Sequence, residues 1–172
     1  LTDSKALSAR RHEALVDPVR EWALASAVGY ASPQEIDDWG IIAALRLAGR
    51  RALAEVAGHG LVPGGVLLDG SHDWLSTPDD LFGAIDGPDD PFGVDLPVQM
   101  QVKADASCAV VAAASVLAKV ERDHLMQELE DPGYGWASNK GYGSAAHTRA
   151  IVELGVSEHH RRSWKMPTQA TK

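Results

Sequence analysis

A chain of 172 residues, 45% of them hydrophobic, is long enough for one domain with a real core and is not a disordered chain. Against 24 acidic residues stand 16 basic ones, a formal charge of −8 that excludes a general basic coat for nucleic acid and leaves that role to local clusters. The single cysteine, Cys108, excludes an internal disulfide, suits a reducing compartment, and reads as a small buried thiol in its Ala/Val-rich surroundings. No stretch approaches the ~20 apolar residues of a membrane span, and no signal-peptide pattern is visible, so the expected setting is the cytoplasm, away from membranes. The sequence opens on Leu1 and runs straight into Thr2-Asp3-Ser4-Lys5, which reads as a chain entered partway through.

Ser8 is placed to cap a helix over about 9–21, with Leu15, Val16 and Val19 inward. The apolar run Trp22 to Tyr30 reads as a buried strand, although its alanines argue weakly for that state. Ser32-Pro33-Gln34-Glu35 is a capping box with proline at the first helical position. It predicts a short helix and then a longer one near 40–57, with Ile42, Leu45, Ala52 and Val56 inward and Gly58 and Gly60 closing it. Val66-Leu67-Leu68 is a short buried strand ending at Asp69.

Residues 70–97 change texture, with Asp79, Asp80, Asp86, Asp89, Asp90 and Asp95 set among glycines and prolines. They read as an exposed acidic loop, pinned in part by Trp74, Leu75, Leu81 and Phe82. Val98 to Val102 alternates with period two, a further strand, and leads into Lys103-Ala104-Asp105. The segment from about 107 to 130 is the clearest helix, apolar almost all round from Cys108 to Leu117 and therefore expected to be buried there. A glycine-rich stretch over 131–143 carries Tyr134, Trp136 and Tyr142. A last helix, capped by Ser144, runs to about Leu154, before a basic tail from His159 to Lys165. Interleaved strands and helices over 1–172 imply a single α/β layer domain.

Asp69 and Asp105 each follow a short apolar strand, and ligands of open α/β sheets bind at the carboxyl ends of strands. Two carboxylates brought together there repel unless a proton or cation intervenes, and Mg²⁺ or Mn²⁺ is the hard cation that oxygen ligands suit. Such ions can activate a water for phosphodiester cleavage. Spacing alone leaves the plainer reading ahead, since Asp-Gly at 69–70 is a turn signal in its own right. His12, His59, His72 and His147 lack ligand-like spacing, and adjacent His159 and His160 cannot share one metal from a regular strand, so no zinc site is assigned.

The words around those aspartates carry more. Asp3-Ser4-Lys5-Ala6-Leu7-Ser8 resembles the DSK-x-LS segment of the ribonuclease HII family. Lys103-Ala104-Asp105, continued by Ala112 to Asp123, resembles that family's KxD and AAASxLAKVxRD helix. Pro132 to Gly135 and Lys140 to Gly143 resemble its PGYG and KGYG loops, and His160-Arg161-Arg162-Ser163 its HRRSF-like tail. These words stand in family order across nearly the whole chain.

The resemblance implies a ribonuclease H-like α/β fold, a central mixed sheet of five strands flanked by helices. It implies an endonuclease acting by two metal ions, Mn²⁺ or Mg²⁺, on RNA–DNA hybrid and on ribonucleotide-containing duplex DNA, cutting 5′ of the ribonucleotide to leave 3′-hydroxyl and 5′-phosphate ends. Of its four metal-binding carboxylates, the second pair corresponds to Asp69 and Asp105. The first pair belongs to a DExGRG-type motif that this sequence does not contain. The expectation is therefore a chain lacking the first two strands and half of the metal site. Lys5, and less clearly Ser4, are implied near a substrate phosphate, though Ser4 serves equally well as a helix cap. Tyr142 is implied beside the sugar at the RNA–DNA junction, or else as a loop anchor. Lys140 and Arg161 are candidates for tracking the nucleic-acid backbone, against the plainer role of solubilising charges. Asp123 is expected to tie down its own helix rather than bind metal. A catalytically inactive nucleic-acid-binding relative, or a metal phosphohydrolase for small phosphate esters, are the alternatives. The expected oligomeric state is monomeric.

Overall fold

A computed structural model describes residues 9–78 and 87–167. The cap assigned to Ser8 and the anchoring assigned to Leu81 and Phe82 lie outside the described residues. Helix α1 spans Ala9–Trp22 despite Pro18 inside it. Its Val19 is buried with Ala113 and Leu117, and Val16 and Val28 pack around them. Arg20 reaches Glu121 at 2.5 Å, and Glu13 meets His124 at 2.7 Å, so both faces of this helix contact are also joined by charge.

The run from Trp22 to Tyr30 does not form the expected strand. After Trp22 the chain turns and continues through residues 25–32 with no ladder to any described segment. An extended run becomes a strand only when a neighbour accepts and donates its backbone hydrogen bonds, and none does here. What holds it is the helix behind: a Cβ at Gly29 would stand 1.9 Å from the Ala48 carbonyl oxygen, so the two backbones touch where a side chain would sit.

Helix α2, Pro33–Gly58, starts as the capping box requires. Ser32 Oγ accepts the Glu35 N–H at 3.1 Å, and Glu35 Oε2 accepts the Ser32 N–H at 2.8 Å. Hydrogen bonding to Arg51 holds the Glu35 carboxyl at about 2, well below the ordinary glutamate range. Gly40, at φ 79° and ψ 164°, breaks the helix into the short and long halves foreseen from the sequence. The inward face differs from expectation: Ala44, Leu47 and Arg50 are buried, whereas Ile42 and Leu45 are exposed and Ala52 and Val56 half-buried.

Arg50 is only 3% exposed, and it is the anchor of the acidic loop. Its guanidinium donates to the Leu75 carbonyl at 3.2 and 3.3 Å and to the Val94 carbonyl at 2.5 Å, and pairs with Asp95. A buried guanidinium needs such a set of acceptors to offset its desolvation.

Strands β1, Val66–Asp69, and β2, Val98–Gln101, form a parallel pair in which Val66 faces Val98 and Asp69 faces Gln101. The period-two alternation of the second strand does not become alternate burial, since Met100 and Val102 are both exposed. One left-handed residue, Lys103 at φ 57°, then turns the chain into the single helical turn α3, Ala104–Ser107. Helix α4, Ala109–Glu128, follows after extended, half-buried Cys108. It buries Val111, Ala112, Ala113, Val116, Leu117 and Val120 but exposes Val110, so its first half is covered on one side and not all round.

The remaining elements are the turn α5, Trp136–Asn139, and α6, Ala145–Leu154. Stacked Tyr134 and Trp136, with ring centroids 4.9 Å apart, form a second core with Ala150 and Ile151. The tail is tied back to α2 where Asp37 accepts the N–H groups of Arg162 and Ser163 at 2.8 and 2.9 Å.

Candidate functional site at the strand ends and the Tyr142 loop

Parallel pairing with Asp69 opposite Gln101 puts the ends of both strands on one side of the sheet. The Gly70 N–H donates to the Gln101 carbonyl at 3.0 Å, carrying the ladder one step past Asp69. The turn at Lys103 folds the chain back, so that the Ala104 N–H donates to Asp69 Oδ1 at 2.9 Å. Asp69 is therefore bonded to the residue immediately before Asp105. Asp69 is itself an exposed residue.

Asp105 is only 7% exposed and makes no hydrogen bond or ion pair with another described residue. A carboxylate on a residue this little exposed is well placed to be stabilised by an approaching cation. The donor set, oxygens alone at a pair of carboxylates, fits a hard divalent ion such as Mg²⁺ or Mn²⁺. Among the described residues no group of three or more His, Cys, Asp or Glu side chains could hold a metal.

Tyr142 stands on a loop built by left-handed residues, Lys140 at φ 52° and Gly141 at φ 74°. The residue is 58% exposed, which removes it from the core. Two cations of α4 lie over it, Arg122 at 5.3 Å from the ring centroid and Lys119 at 5.9 Å. The sequence reading passed over both, although their i, i+3 spacing places them on one helix face. Asp123 pairs with Lys119 one turn earlier, the structural role expected of it.

The upstream part of the loop is organised by Asp131. Its Oδ1 accepts the N–H groups of Gly133 at 2.9 Å and Tyr134 at 2.6 Å, and Oδ2 that of Trp136 at 2.8 Å. Burial works to raise its carboxyl, but these backbone donors outweigh it and hold it below the ordinary aspartate range.

The other candidates divide. Lys140 Nζ donates to the Ala137 carbonyl at 2.6 Å, closing α5, which leaves its charge unpaired by any described carboxylate. Its carbonyl accepts from Arg122 at 2.5 Å. Arg161 stacks on Trp164 at 4.1 Å rather than beside Tyr142. Ser4 and Lys5 lie outside the described residues. The geometry thus joins Asp69 to the Asp105 turn, and Tyr142 to α4, the helix that Asp105 precedes. Among the described residues no helix is long and apolar enough to cross a membrane.

Comparison with known proteins places this architecture. The fold matches the crystal structure of the ribonuclease H2 from Pyrococcus horikoshii OT3 with a TM-score of 0.55, at 20% identity, covering 95% of this chain and 76% of that one. The ribonuclease H-like α/β fold is therefore the fold of this chain. It is 43% identical over 166 residues to the ribonuclease HII of Streptomyces avermitilis and 46% identical over 169 residues to that of Streptomyces griseus. Each alignment covers 95% of this chain, and the chain spans 63% of the length of those two relatives. The ribonuclease HII of Paracoccus denitrificans is 43% identical over 169 residues, 95% of this chain and 69% of its own. The model of the Ribonuclease HII family matches residues 1–167, and the chain belongs to that family.

Proposed function

We propose that the protein is a divalent-metal-dependent endonuclease that hydrolyses the RNA strand of RNA–DNA hybrids and cuts 5′ of ribonucleotides embedded in duplex DNA, leaving 3′-hydroxyl and 5′-phosphate ends. The observation that carries this reading is Asp105, a buried carboxylate with no described donor, one residue from the N–H that Asp69 accepts. Mg²⁺ or Mn²⁺ held by these two side chains would supply the charge that activates a water and stabilises a leaving oxygen. The protein's own residues do the rest. The exposed Tyr142 ring offers a face to a ribose or base, and Arg122 and Lys119 beside it offer cations to the adjoining phosphates. A ribose is told from a deoxyribose only through its 2′-hydroxyl or the helix shape it imposes, so a sugar-facing contact is where selectivity belongs.

A second reading, an inactive binding relative, is favoured by one observation: the described residues hold the carboxylates of Asp69 and Asp105 and no group of three or more possible metal ligands. The test separates them. The full-length gene product is incubated in Mg²⁺ or Mn²⁺ with a duplex carrying one ribonucleotide, an all-DNA duplex, an RNA–DNA hybrid and a nucleoside monophosphate. Cleavage of the first and third, ending in 3′-hydroxyl and 5′-phosphate, is expected. Binding without cleavage favours the second reading, and hydrolysis of the monophosphate alone overturns both.

A further inference from the structure

Behind the Tyr142 loop, and unused by the chemistry above, two histidines are buried against each other. His147 of α6 is 5% exposed and His160 of the tail 7%. Their Nε2 atoms lie 3.2 Å apart. At its far nitrogen, His160 Nδ1 is met by the Ser157 N–H at 3.0 Å and by Ser157 Oγ at 2.8 Å. At the opposite end, His147 Nδ1 lies 3.0 Å from the Tyr142 carbonyl oxygen.

Donor and acceptor chemistry fixes every proton in this chain. A backbone N–H only donates, so His160 Nδ1 is an acceptor and its proton sits on Nε2. A carbonyl only accepts, so His147 carries its proton on Nδ1 and presents a bare Nε2 to His160. The relay therefore runs one way, from the Ser157 N–H through His160 and His147 to the Tyr142 carbonyl. That carbonyl also accepts the Ser144 N–H at 2.8 Å, so both of its lone pairs are occupied. The Tyr142 N–H donates to the Asn139 carbonyl at 2.9 Å, and on the solvent side Arg122 and Lys119 lie over its ring.

We propose that His147 is a positioning residue for Tyr142, locked in one tautomer by His160 so that its ring N–H fixes the main chain from which the tyrosine meets the substrate sugar. The inference rests on the reading of Tyr142 as a sugar contact. The groups facing the pair are the edge-on ring of Tyr134, Trp136, His159, Ser157 and Arg162. None of these is a carboxylate that would favour an imidazolium. Burial is the largest influence on His160 and pushes it below its usual range, consistent with a neutral His160 ring at this position.

Two measurements on the full-length protein test this. Imidazole ¹H–¹⁵N correlation spectra should show His147 protonated on Nδ1 and His160 on Nε2, and the reverse at His147 overturns the relay. In the second, cleavage at a single ribonucleotide is compared for His147→Ala alone and in a Tyr142→Ala background. His147→Ala should cost about tenfold alone and nothing further once Tyr142 is gone, while its thermal destabilisation persists in both. His147→Asn, whose amide N–H reaches the same carbonyl, should recover most of the rate. An equal loss in both backgrounds makes His147 merely structural and overturns the proposal. Unchanged cleavage by Tyr142→Ala itself overturns the sugar contact instead.

Discussion

Asp69 and Asp105 owe their positions to the backbone, whereas Tyr142 sits on a loop that side chains from other segments also tie down. At the strand ends, parallel register and one left-handed residue at Lys103 bring the two carboxylates into neighbouring turns, and among the described residues the one side-chain hydrogen bond spent on them is the Ala104 N–H. In the loop, Asp131 gathers the N–H groups of Gly133, Tyr134 and Trp136, and His147 holds the Tyr142 carbonyl. The lesson is one of separability. A carboxylate bound by one backbone N–H is expected to lose its charge with little effect on the fold, whereas the loop is expected to lose its shape with its supports.

The largest effect should therefore come with the smallest structural change. Asp69→Asn keeps an amide oxygen for the Ala104 N–H, and Asp105→Asn keeps the shape of the buried side chain, so both should fold. Each should lose about 10²-fold or more in cleavage, because the charge that holds a divalent ion is gone. Full turnover by either in Mg²⁺ would remove that aspartate from the account. Tyr142→Ala should come next, with cleavage at single ribonucleotides down by about 10–100-fold, the scale of a lost aromatic contact of roughly 1–3 kcal/mol. A collapse of Tm with unchanged activity per folded molecule would make the tyrosine structural.

Asp131→Ala should behave in the opposite manner to Asp69→Asn. It orphans several backbone donors and should destabilise by about 1–3 kcal/mol, with cleavage falling only as the loop loosens. Chemical denaturation compares the two variants directly, and equal stability loss would erase the distinction between the regions. The smallest effect is a pH slope. The folded pKa of His160 is lowered, so the unfolded chain takes up a proton near its ordinary value of about 6.5 while the folded one stays neutral. Stability from this source is complete above that pH and falls as pH descends below it. Melting curves between pH 7.5 and 5.5 should show the slope in wild type and a flatter one in His160→Asn.

Local signals served the helix boundaries well. The capping box at Ser32 and Glu35, the break before the long helix, and the Ser144 cap are set by residues within a turn of one another, and the structure has all of them. Signals that depend on a partner failed. The apolar run after Trp22 has strand composition, but no described neighbour completes a ladder, and Gly29 presses on the α2 backbone instead. The inward face of α2 was misjudged because its centre is Arg50, whose burial depends on carbonyls contributed from residues 75 and 94. At the site, the words around Asp69, Asp105 and Tyr142 singled out residues that the structure puts at the end of β1, in the turn α3 and on the loop before α6. His147 and His160 were not singled out, since thirteen residues separate rings that only folding brings within 3.2 Å.

The central claim is that Asp69 and Asp105 together hold the divalent ion, and Mn²⁺ titration calorimetry on the full-length protein tests it most directly. Wild type should bind Mn²⁺, and Asp105→Asn should weaken that binding by at least about tenfold at unchanged fold, because one of the carboxylates that compensates the ion's charge is lost. Equal Mn²⁺ affinity in the two proteins would contradict the account and return the buried Asp105 carboxylate to an unexplained state.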